Sequence, residues 1–90
     1  MLEEIKKIQG INNEEFDSII NSFISSCELD LKLIGIAEDK INDSDSLIKT
    51  AILTYVLSFL DTKNSEMYAN SYSMQKDVLR HLSEYKKAEE

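Results

Sequence analysis

The sequence predicts an all-α fold: a single small domain in which a short N-terminal helix and three longer helices pack around a central apolar helix. Three observations predict it. Apolar residues recur at three- and four-residue spacings rather than alternating, which is the period of a helix with one buried face. The ninety residues include no proline, so the breaks fall to two glycines and to short Asn/Asp/Ser clusters. Those clusters stand just before apolar runs, where their side chains can accept hydrogen bonds from the free N–H groups of a first helical turn.

The first helix covers residues 2–9, with Leu2, Ile5 and Ile8 on one side and Gly10 placed to end it in a left-handed cap. The second covers 13–34. Asn12 is positioned to cap it, Glu15 stands in capping-box position, and Glu14 and Asp17 lie near the positive end of its dipole. Gly35 ends it. Its inner stripe is Phe16, Ile19, Ile20, Phe23, Ile24, Cys27, Leu31 and Ile34. At about 100° per residue Leu29 and Leu33 fall on the far side, and Asp30 falls at the edge of the inner face. Two readings stay open: the helix bends near Glu28, or this stretch carries a second apolar face that something else covers.

Residues 36–43 read as a connecting loop, and Asp43 or Ser44 can cap a third helix over 44–60. That helix is apolar on almost every side, which places it at the centre, with Ala51, Ile52, Tyr55 and Phe59 as the middle of the core. Thr50, Thr54 and Ser58 form a strip whose hydroxyls can bond carbonyls one turn back and whose small size suits a packing seam. Asp61 to Asn64 make the next turn. Asn64 is placed to cap a fourth helix over 65–85, with Met67, Tyr68, Tyr72, Val78, Leu79, Leu82 and Tyr85 on its inner face. The helical domain thus spans 1–85, and 86–90 form a solvated tail.

Composition narrows function before any motif does. A domain this small buries about two thirds of the surface its unfolded chain exposes, so a deep enclosed active site would compete with the core for side chains. Seventeen acidic residues face ten basic ones, a formal charge of −7, which disfavours unaided binding to nucleic acid or to an anionic membrane. Residues 1–45 carry eleven acids and four bases, whereas the remainder carries six of each, so the surface is polarised. The single Cys27 cannot form an intrachain disulfide, which favours an intracellular compartment. The N-terminal stretch has no apolar core of the signal-peptide kind, and the run from Ala51 to Leu60 is far short of the roughly 20 residues a membrane span needs.

Sites of chemistry are sought and not found. One cysteine and one histidine cannot furnish the ligands of a zinc site. A calcium loop started at Asp39 has Ile41 at its third position, and one started at Asp43 has Ile48 where glycine belongs and Thr54 where the bidentate Glu belongs. His81 and Glu84 share a helix face but lack the second pair of a helical di-metal site. Cys27 and His81 could in principle make a nucleophile and base, yet Cys27 lies on the core stripe, where free cysteine acts as a small hydrophobe. The expectation is a protein-binding domain with no enzymatic activity, no cofactor and no metal. Its candidate interface is Leu29 and Leu33 with the acidic loop residues Glu38, Asp39, Asp43 and Asp45.

One pattern carries further. The run Leu47-Ile48-Lys49-Thr50-Ala51-Ile52-Leu53-Thr54-Tyr55-Val56, the turn Asp61-Thr62-Lys63-Asn64, then Tyr68-Ala69-Asn70-Ser71-Tyr72 and Val78-Leu79-Arg80-His81-Leu82 follow one another in order. Together they resemble the small helical head-tail connector (adaptor) proteins of tailed bacteriophages and prophages. The short first helix and the long Phe/Ile-striped second helix fit the same plan, so the resemblance spans nearly the whole chain. It departs from the family pattern at Leu60 and Asp61, where relatives often show an aromatic-glycine pair, and at Ser65, where proline often opens the last helix. The resemblance implies a structural protein of the virion head–tail junction, made in the host cytoplasm and associated with virion assembly and DNA packaging. It implies a ring of copies docked beneath the portal protein, with a tail-side connector or stopper protein below and DNA passing through. The rival reading is a small acidic regulator, antitoxin-like or an anti-repressor, that presents the carboxylates of residues 14–45 to a basic protein; a helical enzyme subunit is a third.

Overall fold

The structure is a computed structural model that describes residues 1–87. It is all-α: α1 is Leu2–Gln9, α2 Asp17–Leu33, α3 Ser46–Leu60 and α4 Ser65–His81, with short 3₁₀ turns at Glu38–Lys40 and Ser83–Tyr85. The helices form one elongated body of 45 × 23 × 19 Å. α3 is the central helix against which α1, α2 and α4 all pack. Ile48, Ala51, Ile52 and Val56 of α3 are sealed from solvent together with Ile5, Ile20, Cys27, Leu31 and Leu79. That cluster is the core the apolar periodicity predicts, and burying side chains of this size is what holds so small a domain together.

Both glycines end helices. Gly10 and Gly35 adopt positive φ, 69° and 98°. In each case the next residue donates back across the helix end, Ile11 N–H to the Lys6 carbonyl at 2.8 Å and Ile36 N–H to the Leu31 carbonyl at 3.1 Å. A residue with a Cβ resists this left-handed cap. Ion pairs then fix α1 in place: Lys6 meets Asp17 at the start of α2 at 2.9 Å, and Glu4 meets Lys49 of α3 at 2.6 Å.

Several sequence expectations are corrected. α2 begins at Asp17 rather than at residue 13, because the Asn13 side chain accepts the Glu15 N–H at 2.9 Å and folds the segment into a turn. Local side-chain bonding of this kind competes with helix formation, and the Asn12–Glu15 capping box does not form. Phe16 and Ile19, placed on the inner stripe, lie half exposed, as does Ile8 of α1. α3 begins at Ser46 with Asp45 as its cap, Oδ1 accepting from the N–H groups of Leu47 and Ile48 at 3.0 and 3.1 Å. The alternatives Asp43 and Ser44 do not cap it, since Ser44 is held by the Asn42 side chain. Phe59, expected at the centre of the core, is 52% exposed. It sits in the last turn of α3, stacked flat on Phe23 with centroids 4.8 Å apart and edged by Tyr55, which leaves its remaining surface in water.

α4 stops at His81, four residues short of the predicted end. Leu82 turns extended, and the 3₁₀ turn carries Tyr85 back over the loop before α3, where its hydroxyl donates to Asp45 at 2.9 Å. Its carbonyl accepts the Ala37 N–H at 2.8 Å, and Lys87 N–H reaches the Gly35 carbonyl at 2.9 Å. Lys86 and Lys87 are therefore exposed at their side chains but paired along their backbone; the rest of the predicted tail, 88–90, lies outside the described residues. The inner stripe of α4 is also rotated from the expected one. Gln75 joins Tyr68, Tyr72 and Leu79 on it, while Met67 and Val78 face solvent. Asn64 does not cap α4 with its side chain, which bonds Asp61 in the preceding turn instead.

Candidate protein-docking surface

Leu29 and Leu33 stand one turn apart on α2, which runs unbroken past Glu28 to Leu33. They are 57% and 76% exposed, so the reading in which the helix bends to bury them is excluded. What remains is the second apolar face. The chain beyond it turns at Gly35 and enters the Glu38–Lys40 turn, and Lys32 closes the angle by pairing with Glu38 Oε1 at 3.0 Å. Glu38, Asp39 and Asp43 are exposed; Glu38 stands beside the leucines through Lys32, while Asp43 lies 4.0 Å from the N-terminal ammonium of Met1. In a surface of this composition the apolar area would supply affinity for a partner and the charges would set orientation.

Asp45 differs from its acidic neighbours. Burial pushes its carboxyl up, but the Ile48 N–H, the Tyr85 hydroxyl and the Leu47 N–H outweigh this and hold it below the ordinary carboxylate range. Both of its oxygens accept from Tyr85. Its chemistry is committed to capping α3 and anchoring the C-terminal segment, which leaves Leu29, Leu33, Glu38, Asp39 and Asp43 as the outward-facing members of the predicted set.

The structure also brings together a polar group that the sequence reading did not assemble. Tyr72 of α4 donates to Asp30 Oδ2 at 2.6 Å, and Lys76 reaches the same oxygen at 3.1 Å while lying 5.3 Å from the Tyr72 ring centroid. Beneath them the buried Cys27 thiol approaches the Tyr72 hydroxyl at 3.6 Å. Asp30 is raised by desolvation and lowered by these two donors, and the donors win. The group ties α2 to α4 by polar bonds beside the shared core. Asp30 at the edge of the inner face was its one visible sign; its partners lie more than forty positions away, beyond the reach of local periodicity.

Cys27 and His81 do not meet as a nucleophile and base. Burial pushes the Cys27 thiol up to about 12, so it is neutral near pH 7 and a poor nucleophile. His81 is not its partner; it is 73% exposed and lies 3.8 Å from Asp77 on its own helix. Among the described residues no group of three His, Cys, Asp or Glu side chains could hold a metal ion, and no helix is long and apolar enough to cross a membrane.

The sequence reading also missed two further apolar surfaces. Phe16, Ile19, Phe23 and Phe59 form an aromatic ridge, and a groove of about 210 Å³ between α3 and α4 is lined by Leu47, Thr50, Gln75, Val78 and Leu79. Periodicity counts such residues as core, and only the packed helices show which of them are left uncovered.

Compared with protein families, residues 1–89 match the family model described as phage connector protein. No curated protein and no solved structure matches the chain significantly.

Proposed function

The chain belongs to the phage connector protein family, and from that premise we propose that it docks as a ring beneath the portal, passes packaged DNA through its opening and receives the tail-side connector or stopper protein. The carrying observation is the family match, which runs over nearly the entire chain and therefore covers every helix. Membership makes it a structural component of the virion and favours this reading over that of a small acidic regulator.

The physical character of the fold suits the role. A formal charge of −7 gives DNA no counterion-releasing stripe to adhere to, so a channel wall built from this chain lets the duplex slide. The outward leucines Leu29 and Leu33, with Glu38, Asp39 and Asp43, form the face that meets the portal. Removing the gene from the phage or prophage that encodes it tests the reading by electron microscopy of lysates. The expected result is heads and tails that accumulate separately and join when the gene is supplied in trans; normal joined particles in its absence contradict the role.

A further inference from the structure

We propose, resting on the connector reading above, that copies of this chain join head to tail by seating the aromatic ridge of one copy in the apolar groove between α3 and α4 of the next. A closed ring of identical subunits needs two different surfaces that fit each other, because a single self-complementary patch yields only a two-fold pair. The described residues present such a pair of surfaces.

Phe16, Ile19 and Phe59 of the ridge are each about half exposed. Phe16 stands just before α2, Ile19 and Phe23 follow it at three- and four-residue steps along the helix, and Phe59 extends the row from α3 through its stack on Phe23. Aromatic side chains at the centre of a contact carry a large share of its binding energy. The groove is concave, and Leu47 and Val78 on its walls are about half exposed. Gln75 Oε1 there is shielded from solvent without a hydrogen-bond partner; the ridge's Phe and Ile side chains carry no donor, so the hydroxyl of Ser22 or Ser26 beside them is what would meet it.

Charge selects the occupant. Copies that each carry −7 repel through their acidic surfaces, so self-association is cheapest where charge is absent. Glu14 and Glu15 lie beside the Phe16 end of the ridge, but its Ile19 and Phe23 part is flanked along α2 by the uncharged Ser18, Ser22 and Ser26, and Thr50 and Gln75 are the polar members of the groove. The acids of the Glu38 to Asp45 corner lie outside both surfaces, which leaves that corner for a partner of a different kind. Placement agrees as well. Phe59 and Thr50 are nine residues apart on α3, half a turn out of phase at about 100° per residue. Ridge and groove therefore sit on opposite flanks of the central helix, and a copy whose groove is filled still offers its ridge to the next.

The test uses wild-type protein, Phe59→Lys with the ridge spoiled, Val78→Lys with the groove spoiled, and an equimolar mixture of the two variants. Each is added to portal rings, imaged by electron microscopy and followed by sedimentation. Wild type should complete rings, whereas each variant alone should dock as separate copies without closing a ring. The mixture should form pairs of one Phe59→Lys with one Val78→Lys chain, through the one ridge and one groove left intact. Should either variant lose its helical spectrum, Ile19→Lys and Leu47→Lys repeat the experiment at other half-exposed positions of the same surfaces. Wild-type rings with equally complete variant rings, or a mixture that forms no pairs, overturn this inference and leave the connector reading standing. Variants that no longer dock on the portal at all also overturn it and assign the surface to the portal. Wild type that never engages the portal overturns both.

Discussion

Asp45 shows how one side chain can hold two distant parts of this chain. It caps α3 through the N–H groups of Leu47 and Ile48 and receives the Tyr85 hydroxyl from beyond α4. Loss of a cap of this kind costs about 1 kcal/mol, so Asp45→Ala should lower the melting temperature by about 4–8 °C for a domain of this size. Tyr85→Phe should give a smaller drop, and thermal unfolding followed by circular dichroism measures both. The same residue predicts a pH dependence. The carboxyls of Asp45 and Asp30, and of Glu4 beside Lys49, are held below their ordinary values. A depressed carboxyl stabilises the fold fully above its unfolded value and loses that contribution as pH falls through the folded one. The melting temperature should therefore be flat near neutrality and fall progressively below about pH 4. A melting temperature that rises on acidification through that range would contradict the assignment.

At the scale of helices, each of the four was legible because its apolar spacing is that of a helix, yet three termini shifted by two residues or more. The start of α2 moved because Asn13 bonds its own turn, and the end of α4 moved because Tyr85 is drawn to Asp45, forty residues away. The first is a local competition between two plausible turns; the second is tertiary and has no local signal. The centre of α3 behaved as its composition implied. Ile52 is sealed in the core, and Ile52→Ala should cost about 2–5 kcal/mol, a large part of the about 5–15 kcal/mol that stabilises a typical domain, as a denaturant titration would show. Leu29 and Leu33 make the opposite case. Off the stripe in the sequence and exposed in the structure, they can both be changed to Lys with the helical spectrum and melting temperature nearly unchanged. Binding to the portal should be lost in that double variant; unimpaired binding would place the portal contact elsewhere.

Across the whole molecule, the division of the surface is what the sequence conveyed least. Charge polarity was readable from the two halves of the chain, and the two leucines from their place off the inner stripe of α2. The aromatic ridge and the α3/α4 groove did not, because helical periodicity reports which residues share a face and not whether another helix covers that face. Phe23 and Phe59 look identical to core residues until α3 ends and leaves their stack at the surface.

The central claim, that this is a connector which assembles on the portal, is tested most directly by mixing the purified chain with purified portal rings of its own phage or prophage and imaging them by electron microscopy. The account predicts an added tier of helical density beneath the portal, arranged with cyclic symmetry and open along the channel axis. Bare portal rings at saturating concentrations of folded chain would contradict it.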